Sequence, residues 1–210
     1  MEKMSTEKRS EILDAAINLF SVKGFERTTV DEIATKANVG KGTIYLYFRN
    51  KEHIFLAIVE EGISYLKQLF LQATKEKDFT LQLRELILSY LKFAEDNREI
   101  YRLFMKERLA MRLCNDSTME KRFLEMHHEL YQFFTDFMQR GMDEGVLRPA
   151  DPGYLGMALN GIISHCVFHW LYSNDQQPLT ELTDTLCHLF LKGAANHLNL
   201  HVSGGVQDVS

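Results

Sequence analysis

Proline is missing from the first 148 residues of this 210-residue chain, the three that occur being Pro149, Pro152 and Pro178. The first two thirds can therefore run as almost uninterrupted helix, since proline removes a backbone donor and clashes with the preceding helical turn. Alternating apolar and polar runs flanked by turn residues are also lacking, which leaves no sheet to build. No apolar run approaches the ~20 residues that span a bilayer. The opening MEKMSTEKRSEILDAA is charged and has no apolar segment or small-residue cleavage site, so no membrane contact and no signal peptide are expected, and the chain is expected to be cytoplasmic. Cysteine is sparse: Cys114, Cys166 and Cys187 form an odd set without CxxC spacing, which fits reduced, buried thiols and not a disulfide framework. Enzyme signatures are missing as well. There is no P-loop, nucleotide-binding glycine fingerprint, GxSxG or HExxH, so neither catalytic residues nor a resident cofactor is expected.

What is present is ordinary for a globular protein: 45% hydrophobic and 25% charged residues. The net charge of -5 argues at first against a polyanionic partner, but it is unevenly spread. Residues 1–52 hold nine Lys/Arg against eight Asp/Glu, net +1, and the remainder fifteen against twenty-one, net -6. Binding to nucleic acid would thus need a local, oriented cluster of cations. The run VGKGTIYLYFRNKE, residues 39–52, offers Lys41, Arg49 and Lys51 with no acid before Glu52.

Helical spacing recurs along the chain, as in Ile12, Ala16, Leu19 and Phe20, and in Leu83, Ile87, Tyr90, Leu91 and Ala94. The fold class read from this is all-α. A first helix is predicted from Thr6 to a stop at Gly24, and a second after Thr29, with Glu32 in capping-box spacing. Asn38 suits a tight turn at positive φ. A short helix follows over about 41–47 and a long one over about 51–75; two short helices across a three-residue turn, behind a supporting helix, spell helix-turn-helix. Further helices are predicted near 80–95, 97–113, 117–144, 152–173 and 179–198, and the tail 201–210 is expected to be flexible. On a helical wheel Ile44, Tyr45 and Phe48 share the packed side of the short helix, while Gly42, Thr43, Leu46 and Tyr47 are offered outward. Thr43 and Leu46 suit base edges or a thymine methyl, Gly42 a close backbone approach, and Lys41, Tyr45, Tyr47 and Lys51 phosphate oxygens. No Arg, Asn or Gln faces outward there, so half-site spacing and DNA shape are expected to carry more of the specificity than direct base contacts.

These residues resemble the TetR family of one-component bacterial transcriptional regulators. The segment ILDAAINLFSVKGFERTTVDEIATKANVGKGTIYLYFRNKEHIF follows the family's N-terminal pattern almost position by position. The resemblance implies an N-terminal three-helix DNA-binding domain, here 1–52, and a C-terminal helical domain, 53–200, that binds an effector and dimerises. It places DNA contacts on Thr29, Lys41, Gly42, Thr43, Tyr45, Leu46, Tyr47 and Lys51. Two departures stand out: Asn38 where many members have Gly, and Gly40 where many have Ser, which removes one hydroxyl from the phosphate side. The implied partners are double-stranded operator DNA, a small-molecule effector and a second copy of the chain.

For the effector, aromatic and methionine side chains recur through the helices after residue 53, and methionine-rich surfaces adapt to irregular apolar guests. The candidate pocket is Leu66, Phe70, Tyr90, Tyr101, Phe104, Met105, Arg108, Phe123, Met126 and His127. Together with the family this points to an apolar or amphipathic effector: a fatty acid or acyl thioester, an aromatic compound or a drug. YLGMALNGIISHCVFHWLY is apolar on nearly every side, and FLKGAANHL brings small residues close together, so the candidate dimer interface is Leu155, Leu159, Ile162, Cys166, Trp170, Leu186, Phe190, Gly193 and Ala194. His165 and His169, at i and i+4 beside Cys166, form the competing constellation for a metal or haem sensor, though two ligands on one helix are few. The other alternative is a DNA-binding protein without an inducer.

Overall fold

The computed structural model describes the backbone of residues 2–76, 78–107, 117–173 and 177–194, and the side chains of all of these except 2–5, 103–107, 117–120, 123 and 194. Among the described residues there are helices and turns and no strand. The helices are α1 (Glu2–Lys23), α2 (Val30–Lys36), α3 (Lys41–Tyr47), α4 (Lys51–Ala73), α5 (Phe79–Asp96), α6 (Arg98–Glu107), α7 (Ser117–Asp143), α8 (Pro152–Tyr172) and α9 (Thr183–Ala194). The predicted all-α class is the observed one. α1 begins a turn earlier than Thr6, and the last predicted helix is divided: a 3-10 turn over Leu179–Leu182 follows Pro178, and α9 starts after it. The expected tail 201–210, Cys114 and the end of the predicted 97–113 helix lie outside the described residues.

Local chemistry sets the helix ends. Gly24 at φ 87 closes α1, its N–H donating to the Phe20 carbonyl at 2.9 Å. Asn38 takes φ 52, the left-handed conformation that asparagine tolerates best among residues with a side chain. Carboxylate and amide caps start the later helices: Asn50 accepts from His53 N–H, Asp78 from Leu81 N–H and Asp151 from Tyr154 N–H, each at 2.9–3.1 Å. Pro152 follows its cap at the first helical position, where its missing N–H costs nothing.

Two hydrophobic cores form. The first gathers Ile12, Ala16 and Phe20 of α1, Ile33 of α2, Ile44 of α3, Phe48, and Ile54, Phe55 and Ile58 of α4. Within it Phe20, Phe25 and Phe55 make a ring trio with centroids 5.2–6.3 Å apart. The second gathers Leu66 and Phe70 of α4 with α5, α7, α8 and α9. α4 therefore enters both cores, its first half in one and its second half in the other. α7 and α8 approach closely at Gly156, where a Cβ would lie 3.0 Å from the Phe134 carbonyl carbon. Each fully buried Leu, Ile or Phe contributes about 1.5–3 kcal/mol of transfer free energy. No helix among the described residues is long and apolar enough to cross a membrane.

Candidate nucleic-acid interface

α2 and α3 are held at their turn by short-range bonds. Thr29 caps α2 in the predicted capping box: its hydroxyl accepts the Glu32 N–H at 3.3 Å, and Glu32 Oε2 accepts the Thr29 N–H at 2.9 Å. After α2 the Ala37 and Val39 N–H groups fold back onto the Ile33 and Ala34 carbonyls, which fixes the direction in which α3 leaves. α3 then sits on the first core through Ile44 and Phe48, 1% and 5% exposed. Leu46 projects with 82% of its surface exposed, and Gly42 faces open space, with nothing within 4 Å of where a Cβ would stand.

The wheel needs one correction. Tyr45, expected on the packed side, is 51% exposed, whereas Tyr47, expected outward, is half-buried with its ring 6.4 Å from Phe48. Tyr45 lies ~100° round from Ile44, while Tyr47 and Phe48 lie within about 60° of it. The outward face is therefore Lys41, Gly42, Tyr45 and Leu46, with Thr43 half-buried at its edge.

Charges on this face are largely engaged. Lys41 Nζ lies 2.6 Å from Asp31 Oδ1, and this hydrogen bond raises the lysine pKa above its ordinary value. Lys51, expected to meet phosphate, points inward instead. Its ammonium donates to the Phe25 and Glu26 carbonyls at 2.7 and 3.2 Å and lies 4.3 Å from the Phe25 ring centroid, because those carbonyls near the start of the α1–α2 loop are within its reach. Sequence reasoning gave no role to Arg27, exposed in the loop before α2, and counted Arg49, exposed after α3, in the cationic cluster without placing it among the DNA contacts. The signal for Arg27 was its place two residues before the capping threonine.

Glu32 also pairs with Lys23. The Lys23 hydrogen bond first, then the Thr29 backbone N–H, lowers the Glu32 pKa from 4.5 to about 2. A depressed folded-state value stabilises above the unfolded pKa, so this contribution is present above about 4.5 and lost as pH falls toward about 2. Thr29→Ala is expected to cost about 1 kcal/mol through the lost cap, and Glu32→Gln to remove part of the acid-induced loss in that window; urea melts at a series of pH values read both.

The residues of this motif and of the helices behind it match known families. A family model described as bacterial regulatory proteins, tetR family, matches residues 12–58, and one described as tetracyclin repressor-like, C-terminal domain, matches residues 76–194. The chain belongs to the TetR family. It is a helix-turn-helix, DNA-binding transcriptional regulator, as the resemblance of its N-terminal segment implied. One relative is the fatty acid metabolism regulator protein of Bacillus subtilis (strain 168), 25% identical over 197 residues that cover 92% of this chain and 99% of the relative. Similar solved structures include the fatty acid degradation regulator FadR of Bacillus halodurans, with TM-score 0.78, 22% identity and coverage of 89% of this chain and 95% of that one. FadR of Bacillus subtilis in complex with stearoyl-CoA has TM-score 0.76, 20% identity and coverage of 88% and 98%.

In this TetR-family chain the candidate pocket residues divide. Leu66, Phe70, Tyr90 and Tyr101 come together in the second core. The Phe70 ring lies 5.3–5.8 Å from Phe133, Phe134 and Tyr90, and Tyr101 lies 6.2 Å from Tyr90. Burial first, and then Tyr90, pushes the Tyr101 hydroxyl well above its ordinary pKa, so it is neutral throughout the physiological range. A polar thread crosses this apolar region: Tyr90 Oη and Ser164 Oγ are 3.2 Å apart, and Ser164 donates to Asn160 Oδ1 at 3.4 Å. Two candidates are corrected. Met126 packs in the first core among α1 and α4 side chains, and His127, one residue on and ~100° round α7, is exposed. Arg108 and the side chains of Phe104, Met105 and Phe123 lie outside the described residues.

The candidate dimer residues divide too. Leu159, Leu186 and Phe190 are buried in the chain's own second core, and Leu155, Ile162, Cys166 and Trp170 pack against it half-buried; Gly193 is exposed, and the Ala194 side chain lies outside the described residues. The exposed apolar face of α8 is a different one. Tyr154, Met157, Gly161, His165, Phe168 and Tyr172 recur every three or four residues and are all exposed, with Leu182 and Leu189 exposed on and before α9. His165, Phe168 and Tyr172 follow one another along it, His165 stacked on Phe168 and Tyr172 tilted against it, their centroids 6.2 and 4.9 Å apart. His165, Cys166, His169 and Trp170 line a cleft of about 250 Å³, but among the described residues no three His, Cys, Asp or Glu side chains gather as a metal set. Burial raises the Cys166 thiol above its ordinary pKa, which disfavours the thiolate a metal would need.

Proposed function

We propose that this regulator is a homodimeric repressor released from its operator by an apolar or amphipathic effector, with fatty acyl thioesters as the preferred class. The observation that carries the reading is the double-sided α8. Its inner face, Leu159, Ile163 and Val167, closes the aromatic second core, while its outer face presents Tyr154, Met157, Phe168 and Tyr172 to solvent, where a second copy would cover them. An effector that enters among Phe70, Tyr90 and Tyr101 would press on the same helix that carries the interface. The Tyr90 and Ser164 hydroxyls offer a hydrogen-bonding point for a carbonyl within apolar walls. The acyl-thioester class is supported by the stearoyl-CoA complex of the Bacillus subtilis FadR and by the fatty acid regulator among the relatives.

Coupling to DNA follows from two elements shared between the cores. α4 runs from one to the other, and Met126 of α7 is 3% exposed within the DNA-binding core. Ion pairs brace them: Arg122 of α7 to Glu60 of α4 and Lys67 of α4 to Glu129 of α7, both at 2.7 Å. An effector that favours one α4–α7 arrangement shifts the population of recognition-helix spacings, and so the affinity for two major-groove sites ~34 Å apart. On the DNA we assign base contacts to Thr43 and Leu46, close backbone approach to Gly42, phosphate contacts to Thr29, Lys41 and Tyr45, and the capped N-terminus of α4 near Lys51 to a further phosphate.

Thermal melts with a chain-length series of acyl-CoA esters, and free CoA as control, test the effector class. A ligand at 100 times its Kd adds about 2.7 kcal/mol. Stabilisation that grows with acyl length supports the reading; equal shifts with free CoA, or none with any ester, would count against it.

A further inference from the structure

The first turn of α2 carries two carboxylates, and each holds a lysine. Glu32 takes Lys23 at the end of α1 and belongs to the cap, whereas Asp31 takes Lys41 at the start of α3. The second pair spans the helix-turn-helix itself, and its side chains are 52% and 66% exposed. Exposed pairs contribute little to stability, so the fold does not require this one. It does change the charge that DNA meets. With Lys51 tied to the Phe25 and Glu26 carbonyls, Lys41 is the ammonium that α3 itself brings to the surface, and a carboxylate already neutralises it.

We propose that Asp31 is a specificity-determining residue for DNA, which aims the Lys41 ammonium across the turn while it withholds one positive charge from sequence-independent binding. The inference rests on the assignment of the α2–α3 face to DNA. Non-specific affinity comes almost wholly from phosphate neutralisation and falls with salt by ~0.9 log unit per log unit of salt for each phosphate neutralised. On mismatched DNA the phosphates stand out of register, the pair stays closed and Lys41 releases no counterion. On the operator a phosphate in register takes over the ammonium from Asp31, which has kept the long side chain close to its working position. Selectivity gains from this repulsive element as well as from attraction.

The test uses the full chain carrying Asp31→Asn or Asp31→Ser, each with and without Lys41→Met, with melts to show that every variant is folded. Fluorescence anisotropy against a mixed-sequence duplex, and against a duplex selected by the wild-type protein from a random pool, is followed over a salt series. Loss of the carboxylate is expected to tighten mixed-sequence binding about 3- to 10-fold, to steepen its salt slope by ~0.9, and to lower the preference for the selected duplex, all only while Lys41 is present. A gain of the same size in the Lys41→Met background would reveal a lone repelling carboxylate and overturn the pairing. No gain at all, with Lys41→Met itself weakening binding, would overturn the inference and leave the DNA-facing assignment standing. A Lys41→Met variant that binds the selected duplex as the wild type does would overturn the assignment of Lys41 to DNA and the inference with it.

Discussion

Carboxylates placed on the outer face of α8, by Met157→Glu with Phe168→Glu, are expected to give a folded monomer whose operator affinity is about 100-fold or more below the wild type. The two side chains are 55% and 44% exposed, so the chain's own core does not depend on them, and its melting temperature at low protein concentration should change little. In the proposed dimer they form the apolar stripe that a second copy covers, and four like charges brought together across its two-fold axis would disfavour that contact strongly. The loss on DNA follows from linkage. With both recognition helices in one molecule the second half-site is met at a high effective concentration, and a monomer forfeits that factor of about 10² to 10⁴. Sedimentation velocity reads the oligomeric state and anisotropy reads the affinity. A variant that stays dimeric would move the interface elsewhere.

Phe70→Ala is expected to lower unfolding free energy by about 3–5 kcal/mol, the usual cost of an aromatic ring removed from a core. Phe70 has no exposed surface and stands where α4, α5 and α7 meet, touching Tyr90, Phe133 and Phe134. For a chain of this size that corresponds to a melting temperature lower by roughly 6–20 °C. The first core shares no residue with the second, so at temperatures where the variant remains folded its operator affinity should stay near the wild-type value, while its response to acyl-CoA should change. A loss below 1 kcal/mol, read in urea melts, would mean that the ring lines empty space and not a packed core.

Helix ends were legible because they depend on neighbours in sequence. Gly24, the Thr29–Glu32 box, Asn38 and the Asp151–Pro152 start are all recognisable from a few adjacent residues, and each is found where local chemistry placed it. The family resemblance added what spacing alone does not contain, the expectation that the short α3 reads DNA. What stayed hidden depends on distant parts of the chain. Lys51 looked like a free cation because the carbonyls it serves, Phe25 and Glu26, belong to another loop. Met126 looked like a pocket residue because nothing in α7 reveals that one of its turns crosses to the other core. α8 hid two apolar stripes in one sequence: Leu159, Ile163, Val167 and Leu171 inward, and Tyr154, Met157, Phe168 and Tyr172 outward, so the interface residues expected from sequence fall mostly on the inner or flanking sides. Tyr45 and Tyr47 exchanged roles for a smaller reason, since one helical step decides which of two neighbours follows Ile44 into the core.

The central claim is that a C-terminal effector site governs DNA binding, and anisotropy of a labelled, selected operator duplex titrated with a long-chain acyl-CoA tests it most directly. The account predicts tight binding by the free protein and release on saturation with the ester, with free CoA and unrelated anionic amphiphiles inert. Affinity for the operator that stays the same while the ester demonstrably binds the protein would contradict it.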